Sequence, residues 1–161
     1  MAVGGPVDRE RLTMLRDMNA ALRAFAKEDV DTVNEILVPY KSDREKTMAA
    51  MKVLLEGAAS TLSVAADFGL PPRELLGSYL TQVPEDRRAA FRRAADLMLA
   101  VHEQSELARQ NIDFKTTGEA QGFIAALMNM ETWIVRQAAK KTGGTPDEIY
   151  DVVAKGLAAQ P

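Results

Sequence analysis

Apolar residues recur along this chain at helical spacing almost from end to end, and turn-forming residues interrupt them at intervals. From about Asp8 to Lys27, Leu12, Leu15, Met18, Leu22 and Phe25 follow one another at steps of 3, 3, 4 and 3, which places them on one face of a first helix. A shorter second helix has Val30, Val33, Leu37 and Tyr40 as its stripe. Pro39 falls inside that stripe, cannot donate to the helical ladder, and predicts an end near Val38. A third helix opens at Ser42-Asp43-Arg44-Glu45, a capping-box pattern with Ser42 as the cap. It runs through Met48, Met51, Leu55, Ala58, Leu62 and Ala65, a heptad seam about 18 residues long. Gly69 is placed to end it with a positive φ. Pro71 and Pro72 start a fourth helix with Leu75, Leu76, Tyr79, Leu80 and Val83, which Pro84 closes.

The fifth helix is expected from about Glu85 to Ile112, where Phe91, Ala94, Met98, Val101, Ser105, Ala108 and Ile112 alternate steps of 3 and 4. Thr116-Thr117-Gly118-Glu119 repeats the capping-box pattern and opens the sixth. That helix is apolar almost all round except for a stripe of Gln121, Asn129, Thr132, Arg136 and Lys140, so it belongs at the centre of the fold. Gly143 and Gly144 stop it, and Thr145-Pro146-Asp147-Glu148 caps a last helix holding Ile149, Val152, Val153 and Leu157. The expected fold is therefore all-α: one domain over residues 1–161, with residues 1–7 a flexible start and about seven helices bundled around the sixth. Shifting the chain by 74 lays Phe68–Leu76 over Thr142–Tyr150, and matches Met51 to Ala125 and Leu54 to Met128. A duplication of two hairpins, 46–83 and 120–157, leaves such a pattern; so do any two helices joined by a Gly-Pro turn in an alanine-rich chain.

Composition strengthens the helical reading and removes much chemistry. Of 161 residues, 25 are alanine and 16 leucine, and only 6% are aromatic. The length supports a core without metal or disulfide staples. No cysteine and a single histidine exclude thiolate zinc sites, iron–sulfur clusters, cysteine nucleophiles and any site needing two imidazoles. No cofactor and no metal are expected. The net charge of -3 gives no overall attraction to nucleic acid or anionic lipid. Met1–Arg11 lacks the apolar core of a secretory signal, and the densest apolar run, Gly122–Val135, contains Asn129, Glu131 and Thr132 and falls short of a bilayer span. A cytoplasmic, membrane-free protein is the expectation.

Few side-chain groupings suggest a site. Thr61–Leu80 resembles a helix-turn-helix, with small Ala65 and turn-making Gly69 at fitting positions. The would-be reading helix, however, offers only Arg73, Ser78, Thr81 and Gln82 beside Glu74. Arg87, Arg88, Arg92 and Arg93 form the one dense basic cluster, in the first turns of a helix where cations oppose the dipole. With Glu85, Asp86 and Asp96 nearby it reads as a solvated face; as a site it would pair with carboxylate or phosphate. His102 shares a helical face with Glu106 and neighbours Glu103, too few ligands for a catalytic metal, and no serine or glycine loop has the setting of a nucleophile or a phosphate cradle. Eight methionines, among them Met14 and Met18, and the sole tryptophan, Trp133, suit either core packing or an adaptable partner surface.

The expected function is accordingly a non-catalytic helical interaction protein, an adaptor, assembly chaperone or complex subunit that binds a protein partner or its own copy. Arg87, Arg88, Arg92, Arg93, Trp133, Met14 and Met18 are its candidate contact residues. A nucleic-acid-associated regulator using residues 61–80 ranks second. A receptor or enzyme for an apolar small molecule held in the bundle ranks third.

Overall fold

In a computed structural model that describes residues 6–103 and 117–158, the predicted stripes become seven α-helices. They are α1 (Pro6–Ala26), α2 (Val30–Leu37), α3 (Arg44–Asp67), α4 (Pro72–Leu80), α5 (Arg88–Glu103), α6 (Thr117–Thr142) and α7 (Pro146–Ala158). Short 3-10 turns at Val38–Lys41 and Glu85–Arg87 precede α3 and α5. The all-α expectation holds. Predicted seam residues Ser105, Ala108 and Ile112, the cap at Thr116, and Glu106 lie outside the described residues, as does the Leu157 side chain.

Two helices share the centre, where the sequence singled out one. α3 and α6 pack on each other, and each also touches α1, α4, α5 and α7. The reason lies on the second face of α3: beside the seam residues Met51, Leu55, Ala58, Leu62 and Ala65, the side chains of Val53, Leu54, Ala59 and Thr61 are buried too. Among the described residues α3 is the one helix long and apolar enough to cross a membrane, and 61% of that stretch is buried inside the bundle. α2, by contrast, rests only on α1 and the turn that follows it. Val33 is its one buried residue, and Val30, predicted in the same stripe, is exposed, as is Leu12 of α1.

Helix ends explain how the chain turns. Gly69 has φ 88° and Gly143 φ 73°. Behind them the Leu70 amide donates to the Ala65 carbonyl at 3.1 Å and the Gly144 amide to Ala139 at 3.0 Å, the six-to-one bond that closes a helix C-terminus. The same stop comes without glycine between α1 and α2: Glu28 takes φ 62°, and the Asp29 amide donates to Ala24 at 3.0 Å. Ser42 is not the cap of α3. Asp43 is extended and its carboxylate accepts from the Lys46 amide at 2.8 Å, while the Ser42 hydroxyl donates to the Pro39 carbonyl at 3.3 Å. Thr145 caps α7 as predicted, accepting from the Glu148 amide at 3.3 Å. α5 starts at Arg88, three residues later than expected, because Glu85–Arg87 wind as the tighter turn.

Ion pairs and hydroxyls fasten the outer helices. Arg23 of α1 reaches Asp147 and Asp151 of α7, each at 3.1 Å, and Lys27 joins Asp147 at 3.3 Å. Tyr40 in the first 3-10 turn donates to Asp17 of α1, and burial together with that bond pushes the Tyr40 hydroxyl up to about 12.

Candidate binding surface

Where α4, α5 and α6 meet, three aromatic rings gather at the surface. Tyr79 on α4 stacks against Phe91 on α5, with ring centroids 5.9 Å apart, and tilts against Trp133 on α6 at 5.3 Å. None is fully covered. Tyr79 and Phe91 border an open hollow of about 280 Å³ that Gln82, Pro84, Arg87 and Asn129 also line, with Trp133 behind Tyr79. Local sequence places each wall. α4 stops at Leu80, Pro84 leads into the 3-10 turn that lifts Arg87 onto the rim, and the α5 period then brings Phe91 to the same side, four residues on.

The rim has both signs of hydrogen-bonding capacity. Asn129 donates its amide to the Ala125 carbonyl at 2.7 Å, which ties the NH₂ group down and turns its carbonyl oxygen to other partners. Burial pushes the Tyr79 hydroxyl up, so it keeps its proton at neutral pH. Arg87 adds an exposed guanidinium. The volume falls just below the ~300–1,000 Å³ of small-molecule pockets, and the hollow is open, so it suits a side chain or two of a larger partner.

The predicted contact residues divide. Arg87 and Trp133 come together at this corner. Arg88 turns inward: its Nη2 donates to the Val83 carbonyl at 3.1 Å, and its Nε is buried without a partner. Arg92 and Arg93 are exposed on α5. Met14 is half-buried, and Met18 is fully buried, which leaves Met18 nothing to offer a partner. Its side chain instead borders a small apolar hollow of about 40 Å³ with Leu37, Tyr40, Met51 and Ile124. Tyr79, Phe91 and Asn129 were not singled out from sequence as site residues. The signal was present in part, since Tyr79 and Phe91 stand at the polar margins of their stripes, where an aromatic ring is half covered.

Three other groupings stand apart from this corner. Arg73, the one cation of the helix-turn-helix-like segment after its turn, donates from Nη2 alone to both Glu103 carboxylate oxygens, at 3.0 Å each. His102 Nδ1 lies 2.7 Å from the Ser63 hydroxyl, which is also 3.1 Å from the Ala59 carbonyl. With a proton on Nδ1, the imidazole donates to Ser63 and Ser63 donates to Ala59, so all three groups are satisfied. Ser63 sits inside α3 rather than on a strained turn. Among the described residues no three histidine or acidic side chains gather around one point.

The third is buried and was missed. Glu131 of α6 is fully enclosed; its Oε2 lies 2.7 Å from the Tyr150 hydroxyl of α7, and its Oε1 lies 3.2 Å from the Thr61 hydroxyl of α3. Burial pushes the Glu131 carboxyl up to about 7 against the pull of those two bonds, and burial with the adjacent Glu131 charge raises Tyr150. A periodicity signal existed: Leu127, Met128, Ile134 and Val135, three or four residues to either side, are all apolar and buried, so position 131 faces inward. Comparison with known families, with curated proteins and with solved structures returns no match to this chain.

Proposed function

We propose that this chain is a non-catalytic protein-interaction module and that the α4–α5–α6 corner receives a protein partner. The observation behind this reading is the aromatic cluster of Tyr79, Phe91 and Trp133 opening beside Arg87. Tyrosine, tryptophan and arginine dominate binding hot spots because they bury large area while keeping a polar handle, and a hollow shields that contact from water. A protein partner is favoured over a nucleic acid because the segment after the turn carries one cation, Arg73, and that cation lies against Glu103. A foreign protein is favoured over a second copy because the exposed large apolar residues among those described, Leu12, Val30, Val38 and Val152, sit on four different elements.

Affinity capture from the native host, run in parallel with wild type, Arg87→Glu and Phe91→Ala, tests the reading. The expected result is a partner retained by wild type and lost at least tenfold in both variants, with helical content unchanged. Trp133, the sole tryptophan, should shift its emission when that partner is added back. Equal retention by all three proteins would count against the corner.

A further inference from the structure

The buried polar side chains among the described residues are Thr61, Glu131 and Thr132, and Glu131 is the only one of them that ionises. The binding reading leaves it unused. A glutamine or leucine would occupy the place without a titration, so stability alone does not call for an acid there.

Proton bookkeeping shows which form the surroundings fit. The Tyr150 hydroxyl lies 2.7 Å from Glu131 Oε2 and 3.2 Å from the Leu22 carbonyl of α1. Thr61 Oγ1 lies 3.2 Å from Glu131 Oε1 and 3.3 Å from the Gly57 carbonyl. A neutral Glu131 donates to Tyr150, and Tyr150 passes its own proton to Leu22. Thr61 then donates to Oε1 or to Gly57, and every donor has an acceptor. An ionised Glu131 instead draws both hydroxyl protons and remains a full charge in the core. Among the described residues no cation pairs with it, although the charge of Arg136 on α6 is felt at the Tyr150 hydroxyl and pulls against its rise. Toward Glu131, α3 presents Thr61 and α7 presents Tyr150, whose hydroxyl in turn faces the Leu22 carbonyl of α1. The charges of α1 and α7 nearest by, Arg23, Asp147 and Asp151, pair with one another on the outside. Arg136 on α6 is exposed, as are Arg73 on α4 and Arg92, Arg93, Asp96 and Glu103 on α5; His102 is held on Ser63.

We infer that Glu131 is the neutral head of a proton chain running from α6 through Tyr150 of α7 to α1, and that its ionisation frees α7 from the bundle. α7 is the helix that yields because it lies at the rim on α1, α3 and α6, whereas α3 is locked centrally. Opening α7 lets water reach the carboxylate. This device is independent of what the α4–α5–α6 corner binds.

Hydrogen exchange of the full chain, compared between α7 and α3 after correction for intrinsic rates, tests it between pH 5 and pH 9. A carboxyl that titrates normally once α7 opens, and near 7 while it is closed, raises the α7 opening equilibrium roughly 10-fold per pH unit up to pH 7, on the order of 100-fold over the whole range. In Glu131→Gln the α7 opening should be flat. A wild type as flat as the variant overturns the inference. Should Glu131→Gln fail to fold, infrared spectra of wild type with isotope-labelled glutamate decide: a protonated-carboxyl band that fades through about pH 7 supports the neutral acid, and its absence at pH 5.5 to 6 overturns it.

Discussion

Glu131 also sets how stability depends on pH. Its carboxyl has an ordinary value of 4.5 and is held near 7 when folded, so between those values the unfolded chain has released a proton that the folded chain keeps. The stabilisation is complete below 4.5 and is lost as pH rises through about 7, in all about 3 kcal/mol at ~1.4 kcal/mol per pH unit. Asp29 and Asp147 act in the opposite sense at acid pH. Hydrogen bonds from Thr32 hold Asp29 low, and the bond from Lys27, with that from Arg23, holds Asp147 low, so what they contribute is lost as pH falls through their lowered values. Urea unfolding at pH 5 and pH 8 should therefore show wild type losing stability toward pH 8 and Glu131→Gln losing about 3 kcal/mol less. An identical pH profile in both proteins would mean that Glu131 is already ionised in the fold. In sequence this residue is one acid among 23 acidic positions. Only the apolar neighbours one turn to each side mark it as inward, and the reading from composition counted it merely as an obstacle to a membrane span.

Helices and their stops were the legible part of the chain. Glycine at 69 and 143 acts through local backbone geometry, which needs no tertiary information, whereas α4 already ends at Leu80, ahead of the Pro84 that was expected to close it. Starts were less legible where two cap-forming residues stand side by side. Ser42 and Asp43 both qualify, and the choice falls to whichever is extended, here Asp43 at φ -151° and ψ 164°. Asp43→Ala should thus cost about 1 kcal/mol in thermal or urea unfolding, while Ser42→Ala, which removes only an exposed bond to Pro39, should change stability by less than about 0.5 kcal/mol. A larger loss from the serine would restore the predicted box. Glu28 escaped notice for a related reason: a glutamate at positive φ has no signature in the sequence, and the turn is imposed by α2 folding back on α1. The candidate corner was half legible for the same cause, since Arg87 and Trp133 stand out by residue type while Tyr79 and Asn129 join them only once α4 and α6 are packed together.

At the scale of the whole molecule the described parts of the heptad seams are covered mostly from within the bundle. Periodicity shows that a stripe is apolar without showing whether a neighbour in the same chain covers it. Here α3 buries Met51, Leu55, Ala58, Leu62 and Ala65 inside the bundle, and α5 turns Ala94 and Met98 inward. A stable dimer buries roughly 800 Å² on each protomer around an apolar centre, and the scattered Leu12, Val30, Val38 and Val152 supply no such centre among the described residues. The remaining concentration of binding-prone side chains is the α4–α5–α6 hollow, which is concave and so cannot meet its own copy across a twofold axis without a protruding complement. Light scattering on the purified chain should therefore give the monomer mass of 17.6 kDa across a broad concentration range. Arg87→Glu should leave that mass unchanged while abolishing partner capture. A concentration-dependent rise toward twice that mass, suppressed by Arg87→Glu, would instead assign the corner to self-association.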